Sequence, residues 1–258
     1  MLYNLPNSCI PLLFGLAGAV LFTGVLFLRV KLLRVQVNSD QARVAHDALA
    51  VVIGFAGLVL AFSLVQEQIN FRNLEAQVGT EANSLAQLDR LLIRYGSLGD
   101  DALRLSLREY ANSIVNDEWP QLSKSRVSGR TTRLLREVSQ DVSAVDPDPG
   151  RQSLLYTEML KKVDELTLAR ESRLVAAISI RLAPIFWETI LFLLLILLIL
   201  AALSETTFSL GGAVALGCQG FAVTLLVALV FVFDRPFTSQ TGISAQPILK
   251  VIAEMQNR

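Results

Sequence analysis

The sequence predicts an all-α membrane protein in which a helical soluble domain is inserted between two pairs of transmembrane helices. Three observations support this fold class. Four runs of 19 to 24 residues contain no Lys or Arg, at residues 10–28, 47–65, 185–203 and 210–233, and each can cross roughly 30 Å of hydrocarbon as a helix. The 117 residues 67–183 contain 16 Lys and Arg and 17 Asp and Glu. No convincing strand alternation of apolar and polar residues occurs.

The four apolar runs set the domain boundaries. We assign residues 1–66 to a first transmembrane hairpin, 67–183 to the soluble domain, 184–233 to a second hairpin and 234–258 to a C-terminal tail. The link within the first hairpin has about 18 residues and the link within the second has 6. We therefore expect both termini to lie on the side of the soluble domain.

The distribution of charge bears on partners and orientation. The formal net charge is zero, and acidic and basic residues are interleaved through the soluble domain, so we expect no nucleic-acid partner. Six Lys or Arg residues lie near the membrane on the domain side, against four in the short loop between the first two spans. The larger number of basic residues on the domain side favours a cytoplasmic domain, and we adopt this orientation. The higher density of basic residues in the short loop favours the opposite orientation.

The second span has no stop signal after it. From Val65 to Arg94 the sequence contains no proline, and apolar or small residues recur at a spacing close to 3.6. We predict one helix that leaves the bilayer and continues for nearly 30 residues, roughly 40 Å. Three further soluble helices are expected at about 101–117, where Trp119-Pro120 ends the helix, at 126–144 and at 151–182.

Several short segments, in order along the chain, match one family pattern. They are Gly54-Phe55 through Ala61-Phe62-Ser63, Glu81-Ala82-Asn83, Leu107-Arg108-Glu109-Tyr110, Arg173 to Arg181 leading into Pro184-Ile185-Phe186-Trp187, and Asp234-Arg235-Pro236-Phe237. In these segments the chain resembles the bestrophin-like membrane proteins of bacteria and plants, a family of unassigned function that is distantly similar to the bestrophin anion channels. The resemblance covers most of the chain.

The resemblance implies an oligomeric ion channel in a bacterial inner membrane. Bestrophins proper are anion channels, pentameric in well-studied members, whose second span lines the pore and whose helical domain extends it. The expected partners are thus the lipid bilayer, further copies of this chain and inorganic ions. The chain departs from the bestrophin pattern where it has Phe71-Arg72-Asn73 in place of an Arg-Trp-Trp segment. It also lacks an evident acidic calcium clasp, so calcium gating is not implied, and we expect no cofactor and no metal.

One face of span two is the candidate pore lining. Its residues are Val51, Phe55, Leu58, Phe62 and Gln66, with Asn70 further along. Apolar residues in a transmembrane helix usually face lipid or pack in the core. In a channel, several copies of this stripe would form a hydrophobic constriction that gates by dewetting, with Gln66 and Asn70 as the first polar ring at its mouth. Gly54 and Gly57 would let neighbouring helices approach.

Ionisable and polar side chains near the membrane are candidates for structural or gating roles. His46 and Asp47 lie at the head of span two, where Asp47 suits a helix cap and His46 could instead sense protons at a pore mouth. Glu188, near the start of span three, either reaches the headgroups or pairs with Arg181 or Arg235.

Two further polar pairs follow from the matched segments. Glu81 and Asn83 on the extension of span two are either solvated or part of a hydrogen-bond network. Asp234 and Arg235, directly after span four, are placed to take part in a similar network.

No nucleotide, zinc-protease or nucleophile motif occurs, so we predict no enzyme. A homo-oligomeric ion channel is the leading hypothesis. A non-conducting scaffold or sensor that recruits a cytosolic partner is the alternative.

Overall fold

The computed structural model describes residues 9–96, 100–179, 182, 184–234, 237 and 242–257. These residues form helices and no strand, which confirms the predicted all-α class. The helices are α1 (Cys9–Phe27), α2 (Ser39–Tyr95), α3 (Asp100–Ser113), α4 (Trp119–Leu122), α5 (Gly129–Ser143), α6 (Arg151–Ser179), α7 (Pro184–Leu203), α8 (Leu210–Phe233) and α9 (Gln246–Gln256). Two π-helical turns, Leu28–Leu33 and Ile114–Glu118, directly follow α1 and α3.

Four of these helical segments are long and apolar enough to cross a membrane: Cys9–Leu33, α2, α7 and α8. They coincide with the four apolar runs of the sequence. The helix α2 has 57 residues, so the second apolar run and its predicted continuation form one unbroken helix. Contacts between residues divide the chain into two compact units, Met1–Ile69 with Arg181–Arg235 and Asn70–Ile180 with Pro236–Arg258.

In the first unit, α1 and α8 cross at very short range through glycine. A Cβ atom added to Gly220 would lie 2.6 Å from the carbonyl oxygen of Gly18, and one added to Gly18 would lie 2.5 Å from the carbonyl oxygen of Gly220. Neither position can therefore accept a side chain without moving a helix backbone. Nearby, the Thr224 hydroxyl donates to the Gly220 carbonyl at 2.7 Å. Close backbone packing of this kind holds helices together in lipid. There, no hydrophobic effect drives the helices together, because the lipid tails are as apolar as the helix surfaces.

The π-helical turn after α1 buries a charged residue. Arg29 is 4% exposed; its Nη1 donates to the Val35 carbonyl at 3.2 Å, and its Nη2 donates to the carbonyl of Glu205 in the connection between α7 and α8. Arg34, with φ at 51°, ends this helical segment. Arg29 thus ties the end of α1 to the connection that precedes α8.

The second unit packs residues 70–95 of α2 with α3, α5, α6 and α9 around one apolar core. Completely buried side chains from three of these helices, Leu85, Leu107 and Met159, lie in it. The ends of α5 and α6 agree closely with the predicted ranges 126–144 and 151–182.

The helix α9 was not predicted, because the sequence assigned its residues to a tail. Its first turn contains Pro247, which is tolerated there because the first N–H groups of a helix have no partner within it. Ile248, Val251 and Met255 follow at helical spacing and are buried in the core of the second unit. The hydrophobic face of a short helix is therefore sufficient to attach the C-terminal segment.

The predicted end of the second soluble helix also differs. Trp119-Pro120 does not stop the helix, which continues to Leu122. A proline inside an α-helix clashes with the carbonyl four residues earlier. Here the preceding turn, Ile114–Glu118, is π-helical, and its wider i→i+5 spacing displaces that carbonyl and accommodates the ring.

Candidate functional site

The predicted pore-lining stripe lies on the exposed face of α2 in the first unit. Val51, Phe55, Leu58 and Phe62 are 72, 62, 54 and 68% exposed. On the opposite face of the same stretch, Leu49, Ala56 and Leu60 are buried in the apolar core of the unit. This part of the helix therefore packs on its own chain with one side only and presents four large apolar side chains with the other.

The two polar positions of the stripe have different surroundings. Gln66 is exposed in the first unit, whereas Asn70, the first residue of the second unit, is half-buried. Asn70 follows Val51 by 19 residues, which at 3.6 residues per turn rotates it by about 100° from Val51 around the helix axis. The exposed polar residue next to the apolar stripe is thus Gln66.

Glycines flank the stripe without a packing partner in the described part of the chain. A Cβ atom added to Gly54 or Gly57 would meet no atom within 4 Å. Glycine in a helix interior costs roughly 0.5–1 kcal/mol relative to alanine. These two glycines therefore weaken the helix without allowing a close approach to other described residues of the chain.

A second polar centre lies inside the second unit, where four charged side chains are buried together. Glu118 accepts from Arg170 Nη2 and from Arg173 Nη2, each at 2.6 Å. Arg173 also donates to both carboxylate oxygens of Glu81, through Nε and, at 3.2 Å, through Nη2. The side chains of Glu81, Glu118 and Arg173 are completely buried and that of Arg170 is 6% exposed. We call these four residues the charged cluster.

Neutral side chains add hydrogen bonds to the charged cluster, in which Arg173 Nη1 keeps no hydrogen-bond partner among the described residues. The Tyr110 hydroxyl donates to Glu81 Oε1 at 3.2 Å, and Arg170 Nη2 donates to the Thr132 hydroxyl at 2.9 Å. The guanidinium carbon of Arg173 lies 5.5 Å from the centre of the Trp119 ring, within the range of a cation–π contact. The positive charges of Arg170 and Arg173 thus balance the negative charges of Glu81 and Glu118 within one core.

Burial and charge together set the ionisation of this centre. Burial acts to lower the pKa of the Arg173 guanidinium, but the charges and hydrogen bonds of Glu81 and Glu118 outweigh it and raise the pKa. Burial, followed by the negative charge of Glu81, raises the pKa of the Tyr110 hydroxyl well above its ordinary value. Arg173 therefore stays a cation and Tyr110 stays a donor.

The amino-acid sequence over most of the chain and the fold of the chain both match known proteins. A sequence profile described as the Bestrophin-like domain matches residues 16–248. The chain belongs to the bestrophin-like family. No curated protein matches the sequence.

Solved bacterial structures share the fold of this bestrophin-like chain. Three are crystal structures of point mutants of a bacterial bestrophin homologue from Klebsiella pneumoniae. One is 16% identical with a TM-score of 0.60 and covers 95% of this chain and 99% of its own. A second is 14% identical with a TM-score of 0.62, covering 96 and 99%. A third is 15% identical with a TM-score of 0.62, covering 95 and 98%. At these identities the likeness concerns the fold.

Three of the five segments that suggested a bestrophin-like protein contribute side chains to the hydrogen-bond network of the charged cluster. Glu81, Tyr110 and Arg173 come from three different matched segments, and the structure brings them within hydrogen-bond distance. Asn83, two residues from Glu81, is exposed. Sequence reasoning proposed a network at Glu81 but did not identify Glu118 or Arg170. The available signal was the apolar stripe of α6, because Arg170 continues the helical spacing of buried Val163 and Leu166.

The structure corrects the assignment of Asp47 as a helix cap. The bestrophin-like chain begins α2 at Ser39, so His46 and Asp47 lie two turns inside the helix, where both are exposed. The cap is earlier: the Asn38 N–H donates to Gln41 Oε1 at 3.1 Å, one half of a capping box. Local hydrogen bonding at Asn38, which precedes the apolar run by several residues, therefore decides where the helix starts.

The remaining predicted polar residues lie in the first unit. Glu188 is exposed on α7, and its predicted partners Arg181 and Arg235 lie outside the described residues. Asp234 is 6% exposed and accepts from the Leu182 N–H at 2.7 Å, which links the end of α8 to the chain two residues before α7. Among the described residues, no group of three or more His, Cys, Asp and Glu side chains could hold a metal ion.

Proposed function

We propose that this protein is a homo-oligomeric ion channel in which α2 of each copy lines a shared central pore. The observation that carries the proposal is the one-sided packing of α2. Its apolar face from Val51 to Phe62 is exposed, while the opposite face is buried in its own chain. Copies arranged about an axis would turn these side chains toward one another and form a hydrophobic constriction, which conducts when it is wet.

The residues beyond the apolar stripe support the same proposal. After Gln66, the exposed residues at helical spacing are Ile69, Asn73, Ala76, Thr80 and Asn83, and all of them except Ile69 are small or polar. A conduit that widens into an aqueous vestibule needs this change in side-chain chemistry. Gly54 and Gly57, open within the subunit, would let neighbouring copies of α2 approach.

The selectivity of such a pore would not come from a ring of basic side chains. No Lys or Arg occurs between Arg43 and Arg72, so the stripe carries no positive charge along the membrane. Preference for anions, a pentameric assembly and a cytoplasmic soluble domain in a bacterial inner membrane are part of the proposal by resemblance to bestrophins.

Reconstitution of the purified protein tests the proposal. We expect an oligomer in detergent and ion flux in liposomes, with Gln66→Arg changing the flux or its anion-to-cation ratio because it would place a charge ring at the pore mouth. Gln140→Arg, at an exposed position on α5, is the matched control and should leave flux unchanged. A folded oligomer without flux under any condition would defeat the channel proposal and favour the scaffold or sensor.

A further inference from the structure

An apolar groove lies between α1 and α8 on the first unit. Its volume is about 400 Å³, and its walls include Ala19 and Thr23 of α1 and Val214, Gly217 and Cys218 of α8. The groove exists because these side chains are small where the two helices cross. An empty groove would forfeit the dispersion contacts of its lining atoms, and within a membrane span the available filling is a hydrocarbon chain.

The groove lies near one end of both helices. Thr23 precedes the end of α1 at Phe27 by four residues, and Val214 follows the start of α8 at Leu210 by four, which is about 6 Å along each axis. The rings of Phe27 and Phe208 meet edge to face at that end, with their centres 5.9 Å apart. The groove therefore leads toward the segments that follow α1 and precede α8.

These two segments carry an excess of positive charge. Residues 28–38 contain Arg29, Lys31 and Arg34 and no acid, and residues 204–209 contain one acid, Glu205. Lys31 and Arg34 are exposed, and neither makes a salt bridge with any described residue. The carboxylate of Glu205 is turned toward the first turn of α8, where it would lie 2.8 Å from a Cβ atom on Gly212.

Arg29 adds a third positive charge to the segment that follows α1. Both of its Nη atoms donate to carbonyl groups, but its buried Nε has no hydrogen-bond partner among the described residues. Since Arg29 makes no salt bridge with a described carboxylate, its charge adds to those of Lys31 and Arg34. A phosphate oxygen is the strongest acceptor that a guanidinium group meets at a membrane surface.

We propose that this part of the molecule binds one anionic phospholipid, with an acyl chain in the α1–α8 groove and the phosphate held by Lys31 and Arg34. The apolar groove and the positive segment are consecutive along α1, as the chain and headgroup are in the lipid. Two basic side chains near an anionic headgroup correspond to a preference of roughly thirtyfold over a zwitterionic lipid. The site is independent of whether the protein conducts ions.

Native mass spectrometry of the delipidated full-length protein tests the site. Phosphatidylglycerol and phosphatidylcholine with identical acyl chains are titrated separately, and we expect phosphatidylglycerol to bind roughly thirtyfold more tightly. The double variant Lys31→Gln/Arg34→Gln should remove the preference. Cys218→Phe, which fills the groove from an exposed position, should weaken binding of both lipids.

Matched controls change the same chemistry elsewhere. Lys161→Gln removes an exposed cation on α6, and Leu195→Phe enlarges a side chain that is 52% exposed on α7; both should bind lipid as the wild type does. Equal binding of the two lipids by the wild type, or a preference that survives the double variant, would overturn the proposal. So would a Cys218→Phe variant that binds lipid normally but loses subunit association, because a second copy would then occupy the groove. The charge variant alters only exposed side chains and remains decisive if Cys218→Phe does not fold.

Discussion

Two stretches of α2 differ in their surroundings: one is buried among polar partners and the other is exposed on one side. Around Glu81, the chain provides a cation, a phenol donor and complete burial. Around Phe55 and Phe62, the described chain covers one side of the helix and leaves the other exposed. The second unit therefore pairs the buried carboxylates of Glu81 and Glu118 with cations of the same chain. Among its described residues, the first unit leaves this apolar face of α2 uncovered, and that face is where we place the function.

The glycines of the first unit repeat this contrast. Gly18 and Gly220 bring two helices of the same chain into backbone contact, whereas Gly54 and Gly57 face open space. Glycine thus lies in a tight helix–helix contact in the first pair and beside open space in the second pair. Variants at the two sets of positions separate intrasubunit packing from packing between copies.

The largest expected effect is on the free energy of unfolding when the charged cluster is disrupted. Arg173→Met would leave Glu81 and Glu118 buried without their shared cation, which should lower the free energy of unfolding by about 3–5 kcal/mol. Chemical denaturation in detergent measures it. Arg130→Met is the control, because the Arg130 side chain is 67% exposed and its pair with Asp117 spans 3.2 Å; a loss within about 1 kcal/mol is expected. Equal losses would contradict the importance of the charged cluster.

The glycine pair should give an intermediate effect. Gly18→Leu forces a side chain against the backbone of α8 and should destabilise the subunit by about 1–3 kcal/mol. Gly54→Leu has open space and should leave the free energy of unfolding within about 1 kcal/mol of the wild type, while weakening the oligomer on size-exclusion chromatography. If Gly54→Leu destabilised the subunit as much as Gly18→Leu, the two faces of the first unit would not differ as we describe.

The smallest effect is a dependence on pH at the charged cluster. The pKa of Tyr110 is raised in the folded protein, so above its ordinary value near 10 the unfolded chain loses this proton before the folded one does. The free energy of unfolding therefore falls as pH rises, and Tyr110→Phe should lose about 1 kcal/mol less than the wild type between pH 10 and pH 11. Denaturation curves at the two pH values measure the difference. Identical losses would mean that Tyr110 titrates alike in both states.

The elements that the sequence predicted are those encoded locally. The four apolar runs and the uninterrupted helix after Val65 follow from hydropathy and the absence of proline, and the structure confirms them. The stripe on α2 was found from helical spacing, but spacing alone does not tell which surface covers it.

The elements that were missed depend on distant residues or on backbone details. Glu118 and Arg170 are 52 positions apart, and no short pattern links an acid in one helix with a base in another. The π-helical turn that ends at Glu118 has no sequence signature comparable to a cap or a proline. The start of α2 was placed too late because the capping residues at Asn38 and Gln41 precede the apolar run by several residues.

The most direct test of the shared pore compares two equally exposed phenylalanines. Phe62 on α2 and Phe192 on α7 are 68 and 67% exposed, but only Phe62 would face the conduit. Each is replaced by cysteine in a protein in which Cys9 and Cys218 are changed to serine, and liposomes containing the variant are treated with a water-soluble cationic thiol reagent. Our account predicts that the reagent alters ion flux through Phe62→Cys and leaves Phe192→Cys unmodified. A folded, conducting Phe62→Cys variant that does not react, or that reacts no more than Phe192→Cys, would contradict it.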